Sequence, residues 1–310
     1  MPRSITEDDS GTGTISTLVI ARAVAGAGGW CTLYEMIFQI AFLIVAIVAQ
    51  LSPPNSSGVA MGHLHYKVRD VEANMKFWVA LGGKPSKFGT TDVVKFPDAL
   101  VLLEQGNPTA GSNGSVLNHV AFRVQSLEKV EAAGFKVERL DGYVGVASIF
   151  TPEGERIELF DETATNLTFT PDVGKADAIA DRHNRKLTVP VTIHHIHLYV
   201  PEGSELKAKD WYAKTFGGVA GKRYRYDAVD LPGINFNFSA SPQALPPLKG
   251  RMLDHIGLEV RNLEAFCRKL EANGIKLDTK YAKQPSGIAT ASLTDPWGTS
   301  IELTEGLNKL

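Results

Sequence analysis

Four stretches of the chain alternate apolar and polar residues and open on a histidine. Their period of two and their β-branched and aromatic residues predict strands, at 62–68, 118–124, 194–200 and 254–260. Each is followed by a segment with helical spacing that ends at glycine, the residue that most often terminates a helix, at 73–81, 126–133, 204–216 and 262–272. Short apolar strands come next, such as 99–103, 144–150, 234–238 and 299–303. The predicted unit is therefore strand, helix, then two or three strands, and it occurs four times.

A longer repeat joins these units in pairs. The segment 151–159 (TPEGERIEL) is matched by 295–303 (DPWGTSIEL), so that each half of the chain closes with a glycine-containing turn and an Ile-Glu-Leu strand. The pattern predicts two copies of one domain, at 61–162 and 193–307. Residues 163–192 lack apolar periodicity and carry mixed charge, which is typical of a surface linker.

The N-terminal region has a different character. The segment 36–51 is apolar except for Gln39 and Gln50. The segment is shorter than the about 20 residues that span a bilayer, and its length is close to that of the apolar core of an export signal. The acidic stretch upstream is atypical of such a signal. We expect residues 1–60 to be a targeting or anchor region. The protein would then be exported (periplasmic or secreted) or membrane-anchored through 36–51. A buried N-terminal helix in a cytoplasmic protein is the alternative.

Composition narrows the possible partners and cofactors. The 310 residues include 32 Lys and Arg against 34 Asp and Glu, for a formal net charge of −2. No global positive field is available for phosphate backbones, so nucleic acid is not an expected partner. The two cysteines, Cys31 and Cys267, can build neither a disulfide framework nor a four-thiolate zinc site. Any metal must therefore be held by histidine and carboxylate.

The four βαβββ-like units, with a histidine opening the first strand of each and G-x-x-I-E-L closing the second and fourth, resemble the vicinal oxygen chelate superfamily. That superfamily includes glyoxalase I, extradiol dioxygenases and bleomycin-binding proteins. The resemblance covers 61–162 and 193–307. It implies an α+β, glyoxalase-like fold of tandem paired βαβββ modules, four in total, whose mixed β-sheets form cups. It also implies a divalent metal in the cup.

Residue chemistry points to the same kind of site. Two imidazoles and one carboxylate leave open positions on a divalent ion, as catalysis requires, and they suit Fe, Mn, Zn or Ni without distinguishing among them. Position in the repeat assigns three ligands to each half of the chain. They are His63, His119 and Glu158 in one half, and His195, His255 and Glu302 in the other.

Two further histidines share a strand face with these ligands. His65 and His197 each lie two residues after a predicted ligand and therefore point to the same side of the strand. We expect them to act as general acid/base groups, because a histidine near its usual pKa suits proton transfer at neutral pH. Hydrogen bonding to buried polar neighbours is the alternative. His194 should face away and be structural.

Two polar features beside the predicted cups leave alternatives open. Glu104 follows an apolar strand and is the nearby carboxylate that could serve as a fourth ligand, as in glyoxalase I, whereas the second half has Asn237 in that region. Lys222, Arg223 and Arg225 form a basic strand. A solvated edge strand is the expected role, and reception of an anionic substrate is the alternative.

The resemblance implies chemistry in which a metal binds neighbouring oxygens of a substrate and stabilises developing negative charge. We expect a divalent-metal-dependent, glyoxalase-like enzyme of lyase or isomerase type that moves a proton on a small oxygenated molecule. An extradiol ring-cleaving dioxygenase is the first alternative, although 287–293 contains neither the Tyr nor the His that such enzymes use. A non-catalytic ligand-binding protein of the bleomycin-resistance type is the second. The chain would act as a monomer or homodimer.

Overall fold

The computed structural model describes residues 51–165, 168–173 and 186–310. Within these ranges the protein is a mixed α+β structure of seventeen strands and four α-helices, which confirms the expected fold class. No helix in the described ranges is long and apolar enough to cross a membrane. Residues 1–50, which include most of the apolar segment 36–51, lie outside the described residues, so targeting and localisation stay predictions.

Each of the four predicted units is present as a module. Module 1 comprises β1 (Val59–Val68), α1 (Val71–Ala80), β2 (Lys84–Phe88), β3 (Thr91–Phe96) and β4 (Ala99–Gln105). Module 2 comprises β5 (Leu117–Val124), α2 (Leu127–Ala132), β6 (Glu138–Arg139), β7 (Val146–Phe150) and β8 (Arg156–Phe160).

The second half repeats this order. The predicted linker contains one short strand, β9 (Phe169–Pro171). Module 3 comprises β10 (Val191–Pro201), α3 (Glu205–Phe216), β11 (Val219–Arg223), β12 (Tyr226–Leu231) and β13 (Ile234–Ser241). Module 4 comprises β14 (Leu253–Val260), α4 (Leu263–Ala272), β15 (Thr279–Lys283), β16 (Ala289–Thr294), β17 (Ser300–Glu305) and a closing 3-10 turn (Leu307–Lys309).

Local chemistry sets the ends of the helices. The Asp70 carboxylate accepts a hydrogen bond of 2.9 Å from the backbone N–H of Ala73, which caps the N-terminus of α1. Helix α3 ends at Gly217, whose φ of 70° lies in the left-handed region. A Cβ at that position would lie 2.1 Å from Oγ of Ser57, so glycine is required both for backbone conformation and for space.

Alternation along the first strands separates the core from the cup. In β1, Leu64 and Tyr66 are buried in one hydrophobic cluster to which all four modules contribute. The intervening histidines point to the opposite face of the strand. From α1, Trp78 is fully buried and lies 5.9 Å, between ring centroids, from Phe96 of its own module and 5.7 Å from Phe122 of module 2. The helices therefore pack on the apolar faces and leave the histidine faces clear.

Sheet topology joins modules that are distant in sequence. Strand β1 pairs antiparallel with β14, and β5 pairs antiparallel with β10. Module 1 thus forms an eight-stranded sheet with module 4, in the order β15-β16-β17-β14-β1-β4-β3-β2. Module 2 forms a nine-stranded sheet with module 3, in the order β6-β7-β8-β5-β10-β13-β12-β11-β9.

Each sheet takes strands from both predicted repeats, 61–162 and 193–307, so the repeats in the sequence do not coincide with the two sheets. The physical reason is that the four first strands carry the same alternation, and alternation does not specify which two of them pair. Within the segment 163–192, the described residues include one strand, β9, which pairs with β11.

In the crossed pairing, β1 pairs with β14 and β5 with β10, so that each sheet needs both halves of the chain. We therefore predict that neither half folds alone. Expressed separately, the fragment 51–165 would expose the unpaired edges of β1 and β5, and the fragment 186–310 would expose those of β10 and β14. We expect each fragment to lack a cooperative thermal transition, and the two together to form a 1:1 complex that melts cooperatively. Circular dichroism and size-exclusion chromatography measure both properties. Two fragments that each melt cooperatively as monomers would contradict the crossed pairing.

Candidate functional site

The β1–β14 register assembles one group of polar residues on the eight-stranded sheet. His63 lies opposite Gly257, and His65 lies opposite His255. In the next strand, Glu302 of β17 also lies opposite Gly257. One row of the sheet is therefore His63, Gly257 and Glu302, and the neighbouring row contains His65 and His255. We call His63, His65, His255 and Glu302 the first centre.

The missing side chain of Gly257 allows the first centre to form. His63 and Glu302 are on strands separated by β14, yet Nε2 of His63 lies 3.1 Å from Oε2 of Glu302 because the imidazole crosses over the glycine. A Cβ at Gly257 would lie 2.0 Å from Nδ1 and Cε1 of His63. The sequence analysis missed this glycine. Its position two residues after the ligand His255 was the available signal.

The donor atoms of the first centre fit a divalent metal ion. Nε2 of His255 lies 3.5 Å from the same Glu302 oxygen that His63 approaches. Among the described residues, the buried ring nitrogens of His63 and His255 have no partner with hydrogen-bond geometry. Imidazole nitrogens aimed at one carboxylate oxygen without hydrogen bonds are arranged as ligands around a common point. His65 can offer a third nitrogen within 4.8 Å of the others.

Charge at the first centre keeps its carboxylate ionised. Burial alone would raise the pKa of Glu302, but His255 and His63 outweigh it and hold that pKa well below its usual value. Burial alone would lower the pKa of His255, but the carboxylates of Asp254 and Glu302 outweigh it and raise that pKa. A proton on His255 therefore competes with a metal at this site.

A second polar pair lies beside the triad of His63, His255 and Glu302. Nε2 of His65 lies 3.0 Å from Oε2 of Glu104, whose side chain is 52% exposed. Burial, together with His255 and His63, lowers the pKa of His65 to about 3, so this imidazole is neutral at pH 7.

Strand register shows where the candidate fourth ligand, Glu104, lies relative to the triad. Leu102 lies opposite His65 in β4, at the position where β17 carries Glu302 in its own module. Glu104 is two residues further along and contacts His65 instead of the triad. Leu102 belongs instead to a cluster of buried apolar side chains, which comprises Leu51, Val93, Leu100, Leu102, Ile288 and Leu307.

The nine-stranded sheet carries a related group. His195 lies opposite Ala121, and His197 lies opposite His119. Glu158 of β8 also lies opposite Ala121. Nε2 of His119 is 3.1 Å from Oε2 of Glu158 and 3.2 Å from Nε2 of His195. We call His119, His195, His197 and Glu158 the second centre. Its three histidines can also place ring nitrogens within 4.8 Å of one another.

The six predicted ligands thus come together in two sets, but not in the sets that the halves of the chain suggested. His63 lies on the other sheet from His119 and Glu158, because β1 pairs with β14 and not with β5. His195 is likewise separated from His255 and Glu302. The observed sets are His63, His255 and Glu302 at the first centre, and His119, His195 and Glu158 at the second.

Imidazoles of the second centre are already engaged. Nδ1 of His119 is 2.7 Å from Oδ1 of Asn118. Nδ1 of His195 shares a hydrogen bond of 2.9 Å with Nδ1 of His194, so the residue expected to be structural is buried against a site histidine. His197 shares a hydrogen bond of 2.8 Å with the Ser239 hydroxyl, as His65 does with Glu104.

An arginine that sequence analysis placed on a solvated edge strand is part of the second centre. Strand β11 lies between β9 and β12, and Arg223 is 2% exposed. Its Nε donates to Oδ1 of Asn237 at 3.1 Å, and its Nη2 lies 3.4 Å from Nε2 of His195. Burial lowers the pKa of Arg223 to about 10. Burial and this guanidinium together hold the pKa of His195 well below its usual value.

The comparisons with known proteins agree with this architecture. Residues 192–303 match the sequence model of the Glyoxalase/Bleomycin resistance protein/Dioxygenase superfamily. The chain is therefore similar to that superfamily over this segment. The resemblance inferred from the sequence is thereby confirmed for 193–307. No curated protein matches the chain.

Two solved structures share the fold over most of the chain. Glyoxalase I from Zea mays is 16% identical with a TM-score of 0.58, over 81% of this chain and 94% of that chain. A putative dioxygenase from Bacillus subtilis subsp. subtilis str. 168 is 13% identical with a TM-score of 0.56, over 83% and 86%. At such identities the similarity establishes the fold alone.

Gly257→Ala tests the bare glycine at the first centre. The added methyl group displaces His63, so Ni²⁺ affinity should fall at least about tenfold, with a stability cost of about 1–3 kcal/mol from overpacking. Isothermal titration calorimetry and thermal melting measure these effects. The matched control is Ala121→Gly, which makes the reverse exchange at the equivalent position and should leave affinity at the first centre within about twofold. Unchanged Ni²⁺ affinity in Gly257→Ala would show that His63 is not a ligand.

Metal binding at the first centre should weaken as the pH falls. His255 binds metal only as neutral imidazole, and its pKa is raised above the ordinary 6.5, so protonation begins to compete at a correspondingly higher pH. Glu302 adds no such competition near neutrality because its pKa is lowered. Below the pKa of His255, Ni²⁺ affinity should fall about tenfold per pH unit for one competing proton. Calorimetry between about pH 5 and 8 measures it, with circular dichroism verifying the fold, and a flat profile would refute this assignment.

Proposed function

We propose that the protein is a divalent-metal-dependent, glyoxalase-like enzyme that moves a proton on a small oxygenated substrate at the first centre. The observation that carries the proposal is the convergence of His63 and His255 on one oxygen of Glu302, with ring nitrogens that lack hydrogen bonds. Three ligands leave open positions on the ion for substrate oxygens. The partly exposed Glu302 side chain, at 29%, leaves the site accessible from solvent.

The residues divide into holding and proton-moving roles. His63, His255 and Glu302 would hold the ion, which supplies Lewis-acid polarisation of two neighbouring substrate oxygens. The His65–Glu104 pair, in contact at 3.0 Å, would accept a proton from substrate carbon and return it to the adjacent carbon, so that an isomerisation balances without another reactant. Glu104 would act as the base and His65 would orient it, because the pKa of His65 is lowered to about 3 and its imidazole is a poor proton acceptor.

Ring-cleaving dioxygenase activity is the second candidate, and one observation favours it. Leu102 occupies the position where a fourth, carboxylate ligand would complete a glyoxalase-type set. The remaining two histidines and one carboxylate form the facial triad typical of Fe(II) oxygenases. Oxygen uptake with Fe(II) and a catechol distinguishes this candidate from proton transfer, which consumes no oxygen.

Glu302→Gln tests whether the first centre carries the activity. Loss of a charged ligand should lower metal affinity at least about a hundredfold, since outer partners of ligands alone contribute 10- to 100-fold. Proton exchange should be lost in parallel, measured by deuterium incorporation from D₂O into α-hydroxycarbonyl compounds and hemithioacetals by NMR. Glu104→Gln should keep the metal but lower exchange by about 10²–10⁴-fold, because it removes only the base.

The matched control for these variants is Glu264→Gln, which removes one carboxylate from the exposed side of α4 in the same module. It should change neither metal content nor proton exchange. Full metal content in Glu302→Gln would refute the ligand assignment. Bound metal in the wild type with neither exchange nor oxygen uptake would instead favour a non-catalytic binding protein.

A further inference from the structure

The second centre differs from the first in the charge of the residues around it. Its cavity has a volume of about 200 Å³. Among the described residues, the charged side chains that line it are three arginines, Arg156, Arg223 and Arg225, and one carboxylate, Glu158. The first centre has no arginine at the equivalent places. Two residues before its glutamate it has Ser300 instead of Arg156, and β2 ends in a phenylalanine where β11 ends in Arg223.

These arginines do not suit a divalent cation. Nη2 of Arg156 donates to Oε1 of Glu158 at 2.8 Å, and Nη1 lies 3.3 Å from Nδ1 of His119. Nη2 of Arg223 lies 3.4 Å from Nε2 of His195. A metal bound by these ligands would meet two guanidinium groups that keep their charge at neutral pH. The ligand types match those of the first centre, but their surroundings do not fit the ion.

The same surroundings fit an organic anion with a flat apolar body. Aromatic rings line the cavity and orient the guanidinium groups. Arg223 lies 5.6 Å from the ring centroid of Phe160 and 5.8 Å from that of Tyr226, and Arg225 lies 5.2 Å from Tyr226. Guanidinium groups bind carboxylates through paired hydrogen bonds, and aromatic walls favour stacking of a ring.

The hairpin between β11 and β12 places the third arginine at the mouth of this cavity. Tyr224 has a φ of 55°, uncommon for a residue other than glycine, and both Tyr224 and Arg225 line the cavity. The volume exceeds the about 150 Å³ that admits a benzene molecule in an engineered protein cavity. A single ring with one carboxylate therefore matches the space available.

We propose that the second centre is not a metal site but a binding pocket for a small aromatic carboxylate, held between the guanidinium groups of Arg223, Arg225 and Arg156. This assignment does not rest on the function proposed for the first centre. His119 and His197 then serve as the polar floor of the pocket. Duplication of the module has produced two related sites that select ligands of opposite charge.

Titration with benzoate tests the ligand class. Benzoate should bind with one site per chain, whereas benzamide, the neutral molecule of nearly the same shape, should bind at least about tenfold more weakly because it lacks the charge. Isothermal titration calorimetry of the full chain measures both. Equal affinity for benzoate and benzamide, or no heat from benzoate, would overturn the proposal. Competition by inorganic phosphate at equal concentration would show that the site selects charge without the ring.

Substitution of the arginines locates the binding. Arg223→Met and Arg225→Met should each weaken benzoate binding at least about tenfold. Because Arg223 is buried, its variant is interpreted only with a preserved melting transition, while Arg225 is exposed and carries the test independently. The matched control is Lys222→Met, which removes one charge from the exposed face of β11 and should leave affinity within about twofold. Equal losses in Lys222→Met and Arg225→Met would show a general charge effect and overturn the site.

The metal arm separates this proposal from the preceding one. Ni²⁺ should titrate to one equivalent per chain, and Glu158→Gln should leave that equivalent in place. Two equivalents in the wild type, one of them lost in Glu158→Gln, would overturn the assignment of the second centre. Failure of benzoate to bind with one Ni²⁺ retained would refute the anion pocket alone. Absence of Ni²⁺ binding in the wild type would refute the first centre alone, and, where the wild type binds a single Ni²⁺ equivalent, its loss in Glu158→Gln would refute both assignments.

Discussion

A glycine between two ligands is the constraint on which the first centre depends. His63 and Glu302 are on strands separated by β14, and they meet because Gly257 leaves the intervening position empty. Neighbouring strands are about 4.8 Å apart, and a Cβ at Gly257 would lie 2.0 Å from the His63 ring, so a side chain there would displace the imidazole. The site is therefore a property of the register: a shift by one residue would put the histidines into the apolar core.

The second centre shows what the same sheet geometry does when this constraint is relaxed. Ala121 replaces the glycine, and Nε2 of His195 stands 3.6 Å from Oε2 of Glu158 instead of the 3.1 Å between His63 and Glu302. Guanidinium groups from neighbouring strands have entered the cup. Two copies of one framework thus differ in polarity through a few side chains, while their strand order and helix packing stay alike.

Much of the fold could be predicted because it is encoded locally. The period-two strands, the helices that end at glycine and the four-fold repeat all follow from short-range pattern, and the six candidate ligands follow from position within the repeat. The partners of β1 and β5 could not be predicted, because strand pairing is a choice among edges with the same alternation. Arg223 was assigned to an exposed edge for a related reason: β9, which covers β11, comes from a segment without apolar periodicity.

The nested pairing of the modules gives the chain an order of assembly. In the nine-stranded sheet, His119 and His195 are 76 residues apart in sequence. In the eight-stranded sheet, Lys67 and Asp254, which join its two halves, are 187 residues apart. During synthesis from the N-terminus, β5 meets its partner while β14 has yet to be made, and domains fold as their strands become available. The nine-stranded sheet can thus form first, and the eight-stranded sheet can form only when module 4 has been synthesised and pairs with module 1. His63 is therefore among the first of the ligands to be synthesised, but it can contact Glu302 only after module 4 has been made.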